Sequence, residues 1–565
     1  TNKSSQLDIP SGVENGNVDM DLDITANEDI HRNINSLRAT RRPNAPLGTK
    51  ISSATSTSSS RSDTAGIHGV PNRDSKISIL GVPIGDTKLC EHELLDHLSE
   101  RTEILRYIKA LPAPTAYALI HACINSRATY MARVCHPSIS GTALAHFDTQ
   151  ISATISVLAG MHDCPLPAIG ETVRGLPMQQ GGLGFRRMHP NRNSTYSASF
   201  LKAASTIAAD IPSFSTYILQ NCPSALKNIL PILHAITPEV VSMDGDRLLG
   251  LKMWNIGKNP PEDKTEAPSQ KKLLHLQDVT VYNDLCNELQ SQGDVLGKAW
   301  LRSGATKGSG SWLLGTAYGA PPILRLSEQH FKVNLLLRLL LPPHWVQGPV
   351  MVRCGSCNNT GNSDDMDPRV HGLNCGAMSQ VRTRRHDDIR NALRDLIAYV
   401  WRDAVVELET IIDPQHNQLR ADIMVKHGAR VWYLDVSIVN PSSMKHARRN
   451  GEANQASKHA ANDKWKKYQT SIRRQNLPDD SFIPFIIEAT GRFGEEASAF
   501  LKLLSDISLT AKGRVSFFRN HCRVLVARGN GVVADTYMKR SRLLDDYPPN
   551  TTEPVTQPDL DSDDD

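Results

Sequence analysis

The sequence predicts a multidomain protein, mainly α in its N-terminal half, followed by an α/β domain with a mixed sheet. Three observations carry this. The chain has 565 residues, more than one hydrophobic core normally organises. Apolar residues recur at three- and four-residue spacing from the stretch beginning at Ile77 to about 210, the period of amphipathic helices. Residues 380 to 505 change rhythm and read in the order α-β-β-β-α-β, which suits strands covered by helices.

Residues 1 to 75 carry Ser, Thr, Asn, Asp and Gly with few aromatics, including the run from Ser52 to Ser60. Such a segment buries too little apolar surface to offset its ordering entropy and is expected to be disordered. A helical region over 76 to 250 opens with the strand-like Ile77-Ser78-Ile79-Leu80-Gly81-Val82-Pro83-Ile84-Gly85. Leu95, Leu98, Ile104, Leu105, Ile108 and Leu111 fit one buried helix face, and Gly181-Gly182-Leu183-Gly184-Phe185-Arg186 makes a turn-rich break before helix resumes to about 245. Residues 251 to 345 form a linker and helical region. Pro260-Pro261 stops any helix in the polar stretch 255 to 275, and helices return at 276 to 303 and 323 to 341, where Leu335, Leu336, Leu337, Leu339, Leu340 and Leu341 cluster.

A metal-binding knuckle is expected at 350 to 376 and the α/β domain at 380 to 510. In that domain a helix at about 384 to 401 precedes strands at Val405–Ile412, 419 to 425 and 431 to 439, a second helix at about 451 to 472, and a strand at Phe482–Glu488. A C-terminal helical appendage (511 to 548) and a disordered acidic tail (549 to 565) complete the chain.

Net charge is only +4, so bulk charge does not predict nucleic-acid binding. Its distribution does. Residues 381 to 402 and 445 to 474 are rich in Arg and Lys, and the acidic end, Asp559-Leu560-Asp561-Ser562-Asp563-Asp564-Asp565, offsets them in the sum. No apolar run is long enough to span a bilayer and the polar N-terminus is unlike a signal peptide, so an intracellular protein is expected. The ten cysteines are scattered apart from one close group, which argues for reduced thiols and a metal site over a disulfide framework.

That group is Cys354, Cys357, His371 and Cys375, spaced C-x2-C-x13-H-x3-C. The spacing lets two pairs of soft or borderline ligands close on one tetrahedral Zn²⁺. With four protein ligands no position remains for a substrate water, so this metal is expected to fold the loop and not to catalyse.

Asp422 opens one strand and Asp435 lies inside the next, the two joined by the turn Lys426-His427-Gly428-Ala429-Arg430. Carboxylates on adjacent strands can converge on a hard cation such as Mg²⁺, which suits a phosphodiester substrate. On the second helix, Ala453, Ser457, Ala460 and Tyr468 lie within about 40° of Lys464 at 100° per residue. Lys464 therefore projects from the small-residue face that packs on the sheet, while Lys458 and Lys466 point to solvent. A lysine there needs a charged partner, and Asp422, Asp435 or a bound phosphate would supply one. Glu407 or Glu409 could complete a metal shell, with Glu488 a further candidate. Arg384, Arg385, Lys445, Arg448, Arg449, Lys466 and Lys467 are expected to contact DNA phosphates, and Trp465 to pack.

Asp422, Asp435 and Lys464 resemble the PD-(D/E)XK restriction-like endonuclease pattern, in the form found at the C-terminus of non-LTR retrotransposon polyproteins, where the lysine sits on the helix. Ala421-Asp422 stands for the Pro-Asp pair, Ser437 occupies the place of a strand lysine, and Lys464-Trp465-Lys466-Lys467-Tyr468 resembles K-x-x-K-Y. The knuckle before the domain matches the family's layout. More weakly, the stretch from Leu80 to Gly85 and the glycine motif at 181 to 186 look like the end of a reverse-transcriptase palm and its thumb, without the paired palm carboxylates that polymerisation requires. The resemblance implies the C-terminal part of a retroelement polyprotein: a restriction-endonuclease-like α/β domain, a Mg²⁺-dependent hydrolase nicking target DNA, nuclear or cytoplasmic before import, with DNA and the element's RNA as partners and no reverse transcriptase activity. The rival expectation is a catalytically inactive nucleic-acid-binding remnant.

Overall fold

Asp86 marks the start of the helical half by accepting hydrogen bonds from the Lys88 and Leu89 amides, both at 3.0 Å. The computed structural model describes residues 77–161, 163–210, 270–341, 357, 371–416, 418–447 and 455–545. The expectations for residues 1 to 75, the helix beyond 210, the linker before 270, Cys354, Arg448, Arg449 and the acidic tail lie outside them. Described residues are mostly helical, with one four-stranded mixed sheet in the C-terminal part.

A hairpin of β1 (Ile77–Ile79) and β2 (Val82–Ile84) leads into α1 (Thr87–Glu103), α2 (Ala113–Leu119), α3 (Asn125–Val134) and α4 (Pro137–Leu158). Next come α5 (Ala168–Gly175), α6 (Met188–Asp210), α7 (Gln270–Ser291), α8 (Val295–Gly304) and α9 (Glu328–Arg338). Helix α7 begins inside the stretch expected to be linker. The single face expected through 111 is interrupted: α1 stops at Glu103, and Ile104 and Leu111 are exposed while Leu98, Leu105 and Ile108 are buried.

The leucine cluster around α9 is buried as its composition predicts, but it serves two cores. Leu335, Leu336, Leu339 and Leu341 join Tyr117, Phe147 and Phe331, whereas Leu337 and Leu340 pack with Val173, Leu289 and Trp300. The glycine motif lies flush on its surroundings, since a Cβ on Gly182 would stand 2.1 Å from the Leu176 carbonyl oxygen. Buried Arg338 ties this loop down by donating to the Gly182 and Met178 carbonyls.

The C-terminal part runs α10 (Ser379–Val400), β3 (Val405–Ile411), β4 (Arg420–His427), β5 (Arg430–Val439), α11 (Gln455–Arg474), β6 (Phe482–Glu488), α12 (Glu495–Ser505) and α13 (Leu509–Asp545). The strand order is β3-β4-β5-β6, antiparallel up to β5 and parallel between β5 and β6. The parallel pair needs a crossover, which α11 supplies. Ile423, Val425, Leu434, Val436, Phe485 and Ile487 bury one face against α10, α12 and α13. Tyr468 and Ile472 of α11 close the other with Ile412, Ala421 and Phe482.

Helix α13, expected as an appendage, contributes to three cores. Phe518, Cys522 and Leu525 enter the sheet core, Val524 and Ala527 the large helical core, and Val533 and Ala534 the core that holds Leu373 and Cys375. Two glycines permit its close crossings, because a Cβ on Gly529 would fall 2.2 Å from Arg385 Cδ and one on Gly531 2.6 Å from His330 Cβ.

Candidate active site and metal-binding cluster

The β4–β5 ladder stops at Ile423↔Leu434, and beyond it a side chain replaces the backbone partner. Asp422 Oδ2 accepts the Val436 amide at 2.6 Å. On the other side of β4 the register pairs Leu408 with Ile423 and Thr410 with Ala421, skipping Glu409 and Asp422 between them. Glu409 has φ of 54°, uncommon for a residue with a side chain. The sheet thus opens around Asp422, whose carboxylate takes the place of a backbone partner for Val436.

Asp435 follows one register step beyond the last β4–β5 pair, on the face covered by α11. It is buried, and three groups surround it. Lys464 Nζ lies 2.5 Å from Oδ2, and the Tyr468 hydroxyl is 2.7 Å from Oδ1 and equally close to the Arg420 carbonyl. Of the face expected to carry Lys464, Ser457 and Tyr468 are buried and Ala460 half-buried, and neighbouring Ala461 is buried as well, so α11 sits close enough for Lys464 to reach inward. Of the partners open to Lys464 in the sequence, the folded chain supplies Asp435. Burial and then the charge of Asp435 raise the Tyr468 pKa, with Asp422 and Glu409 adding to it, so this phenol stays protonated as a donor.

His386 of α10 is the site residue that the sequence reading missed. Its Nε2 lies 3.0 Å from Asp422 Oδ2 and its Nδ1 3.2 Å from Asp387. The hydrogen bond to Asp422 raises its pKa to about 8, against the opposing effect of burial. The available signal was the four-residue spacing of His386 and Arg390, which puts both on the helix flank facing the sheet's end.

The accessory carboxylates are distributed differently from the pair. Glu407 is exposed on β3, and Glu409 is exposed and ion-paired with Arg390. Glu488 is buried at the end of β6, where it accepts from the Ser303 hydroxyl and, at 3.1 Å, from the Ser457 amide in the first turn of α11. It holds the start of α11 and not the aspartates. Among the described residues, no three carboxylates bring their oxygens together as a metal-binding group.

The basic side chains also divide. Arg384, Lys466 and Lys467 are exposed, with Lys467 over the Tyr468 ring at 4.8 Å, and Lys445 pairs with Asp463 at 2.6 Å. Arg385 corrects its expectation: it is buried, donates to Asn530 Oδ1 at 2.6 Å, and has its pKa lowered to about 10 by burial. A guanidinium locked between α10 and α13 cannot reach a DNA phosphate. Lys458 pairs with Glu495 on the solvent side, and Trp465 packs against Phe482.

Cys357, His371 and Cys375 form a second constellation. Their ligand atoms lie within 4.8 Å of one another, with Cys357 Sγ 3.4 Å from His371 Nε2, a group that could hold a metal ion. Cys375 and neighbouring Leu373 and Met378 are buried in the core shared with Trp300 and Val533. The described cysteines are all free thiols, and no described helix is long and apolar enough to cross a membrane. In comparisons with known proteins, no family model matches the chain and no curated protein matches it.

Proposed function

We propose that the chain is a metal-dependent DNA endonuclease of retroelement origin, with a restriction-endonuclease-like α/β domain that nicks target DNA. The observation that carries this reading is the pairing of Lys464, from the crossover helix, with Asp435 of β5, at the point where the β4–β5 ladder opens beside Asp422. The donor chemistry fits Mg²⁺. Asp422 uses only Oδ2 for its hydrogen bonds, leaving Oδ1 as a hard oxygen for a cation, while both oxygens of Asp435 are held by Lys464 and Tyr468. Bound there, Mg²⁺ would polarise a phosphodiester and lower the pKa of an attacking water.

The protein's own groups have assigned roles in this reading. Asp422 and Asp435 hold the cation, Lys464 offsets phosphoryl charge, Tyr468 fixes the Asp435 rotamer and His386 fixes that of Asp422. Exposed Arg384, Lys466 and Lys467 supply salt-sensitive attraction to the backbone. The Cys357, His371 and Cys375 group, with Cys354, binds structural Zn²⁺. A nicking assay on supercoiled DNA with Mg²⁺ is the test: Asp435→Ala cutting as well as the unmodified chain would refute the assignment.

One observation favours a second reading. Both aspartates are already engaged by protein donors, Asp422 by His386 and Asp435 by Lys464 and Tyr468, as in a site kept for folding. A nucleic-acid-binding protein without catalysis would bind the same DNA and leave it uncut.

A further inference from the structure

Lys464 reaches Asp435 only because α11 lies where it does over the sheet, and the helical half takes part in placing that helix. The link is Glu488 at the end of β6, which is 1 % exposed. Its Oε1 accepts the Ser457 amide at 3.1 Å, one of the first-turn amides that a helix leaves without an internal partner. A carboxylate there also suits the positive end of the helix dipole. Its Oε2 accepts the Ser303 hydroxyl from the last turn of α8, which leaves the Thr490 hydroxyl to donate to Ser303 Oγ at 2.5 Å. Burial lowers the Arg492 pKa and the Glu488 charge opposes this, so a cation also stands near the carboxylate.

Helix α8 grips the connection from β5 to α11 at two further points. The Ser442 hydroxyl donates to the Leu296 carbonyl at 2.8 Å, and Leu296 and Ala299 pack on Ala447. From behind, α8 is fixed in the helical half, because Trp300 and Leu301 are buried in the core with Val173 and Leu337. Along α11, Lys464 follows Ser457 by seven residues, about 10 Å, and lies within roughly 20° of the same face. One turn later Tyr468 is anchored on Asp435 and the Arg420 carbonyl. Lys464 thus sits between two anchors, and the first is tied through Glu488 to α8.

A helix carries a tilt at its start to the side chains along it, and a misplacement of about 1 Å at a reacting group costs on the order of a hundredfold in rate. We propose that Ser303 and Glu488 are positioning residues of the candidate nuclease site, acting through the start of α11 to set Lys464 against Asp435, so that the helical half is a working part of that site. The effect on cutting rests on the nuclease reading; the effect on Lys464 rests on the contacts alone. In this role Glu488 accepts hydrogen bonds and does not bind a cation. Glu488→Gln therefore keeps a carbonyl oxygen for the Ser457 amide and turns an amide NH2 to Ser303 Oγ, whose own hydroxyl hydrogen then passes to Thr490.

The test uses the full chain and two readouts, Mg²⁺-dependent nicking of supercoiled DNA and competitive acylation of the lysines followed by mass spectrometry. Ser303→Ala and Glu488→Ala should lower kcat roughly tenfold or more, as loss of a group behind the reacting shell does, with KM for DNA within about twofold. In both variants Lys464, loosened from Asp435, should be acylated faster while solvent-facing Lys458 reacts as before. Glu488→Gln should restore most of both readouts. Ser309→Ala removes another buried hydroxyl, one bonded to the Gly304 carbonyl, and should alter neither. If the unmodified chain does not nick, the nuclease reading fails and Lys464 acylation alone decides the positioning. Lys464 acylation unchanged in Ser303→Ala that retains its far-UV circular dichroism, or Glu488→Gln as impaired as Glu488→Ala, would overturn the proposal.

Discussion

The two candidate metal centres are built in opposite ways. The Cys357, His371 and Cys375 cluster gathers soft donors from a short span of chain, with Cys375 buried in a core beside Leu373 and Met378 and the other two half-buried. The carboxylate site takes Asp422 and Asp435 from adjacent strands, Lys464 from the following helix and His386 from the preceding one, and holds each acid against a cation or proton donor. The thiol cluster could hold a metal ion, whose charge would then bind its ligands together. The carboxylate site is pre-formed by its ion pairs, so it keeps its shape whether or not a cation arrives.

The largest test of this contrast concerns activity. Under the nuclease reading, Asp435→Ala should lower nicking by about a hundredfold or more, since even partners outside a metal's ligand shell cost about 10- to 100-fold. The same variant should retain its far-UV circular dichroism. Collapse of the fold would assign the pair to structure.

Chelation should act the other way round. Removing the soft-ligand metal should lower Tm by roughly 5 °C or more and loosen the core around Trp300, seen as a fluorescence change. A melting curve indifferent to the chelator would show that the cluster needs no metal.

His386 sharpens the contrast through pH. Its pKa is about 8 when folded against an ordinary 6.5, so its interaction with Asp422 is fully present below about pH 6.5 and is lost as pH rises through about 8. Without Mg²⁺, stability should fall by about 1–2 kcal/mol across that window. In His386→Gln that slope should flatten, as denaturant titrations at several pH values would reveal; an unchanged slope would place its origin elsewhere.

The smallest effect belongs to Lys458, which shares a helix with Lys464 and pairs with Glu495 in solvent. Lys458→Ala should change stability by at most about 0.5 kcal/mol and leave nicking unaltered. Lys464→Ala, by removing the partner of a buried acid, should do neither.

Hydrophobic periodicity, turn residues and capping are local, and the sequence alone determined what depends on them. β6 falls at Phe482–Glu488 as expected, β5 within one residue, and of the residues expected on the α11 face bearing Lys464, Ser457 and Tyr468 are buried and Ala460 half-buried. Only the tertiary structure decided matters of contact between distant segments. It joined His386 to Asp422, gave Lys464 to Asp435, drew Glu488 to the start of α11, buried Arg385 against Asn530, and made α13 a common member of three cores. A charged residue reads alike on an exposed helix and a packed one, and its role is fixed when a neighbour removes its water.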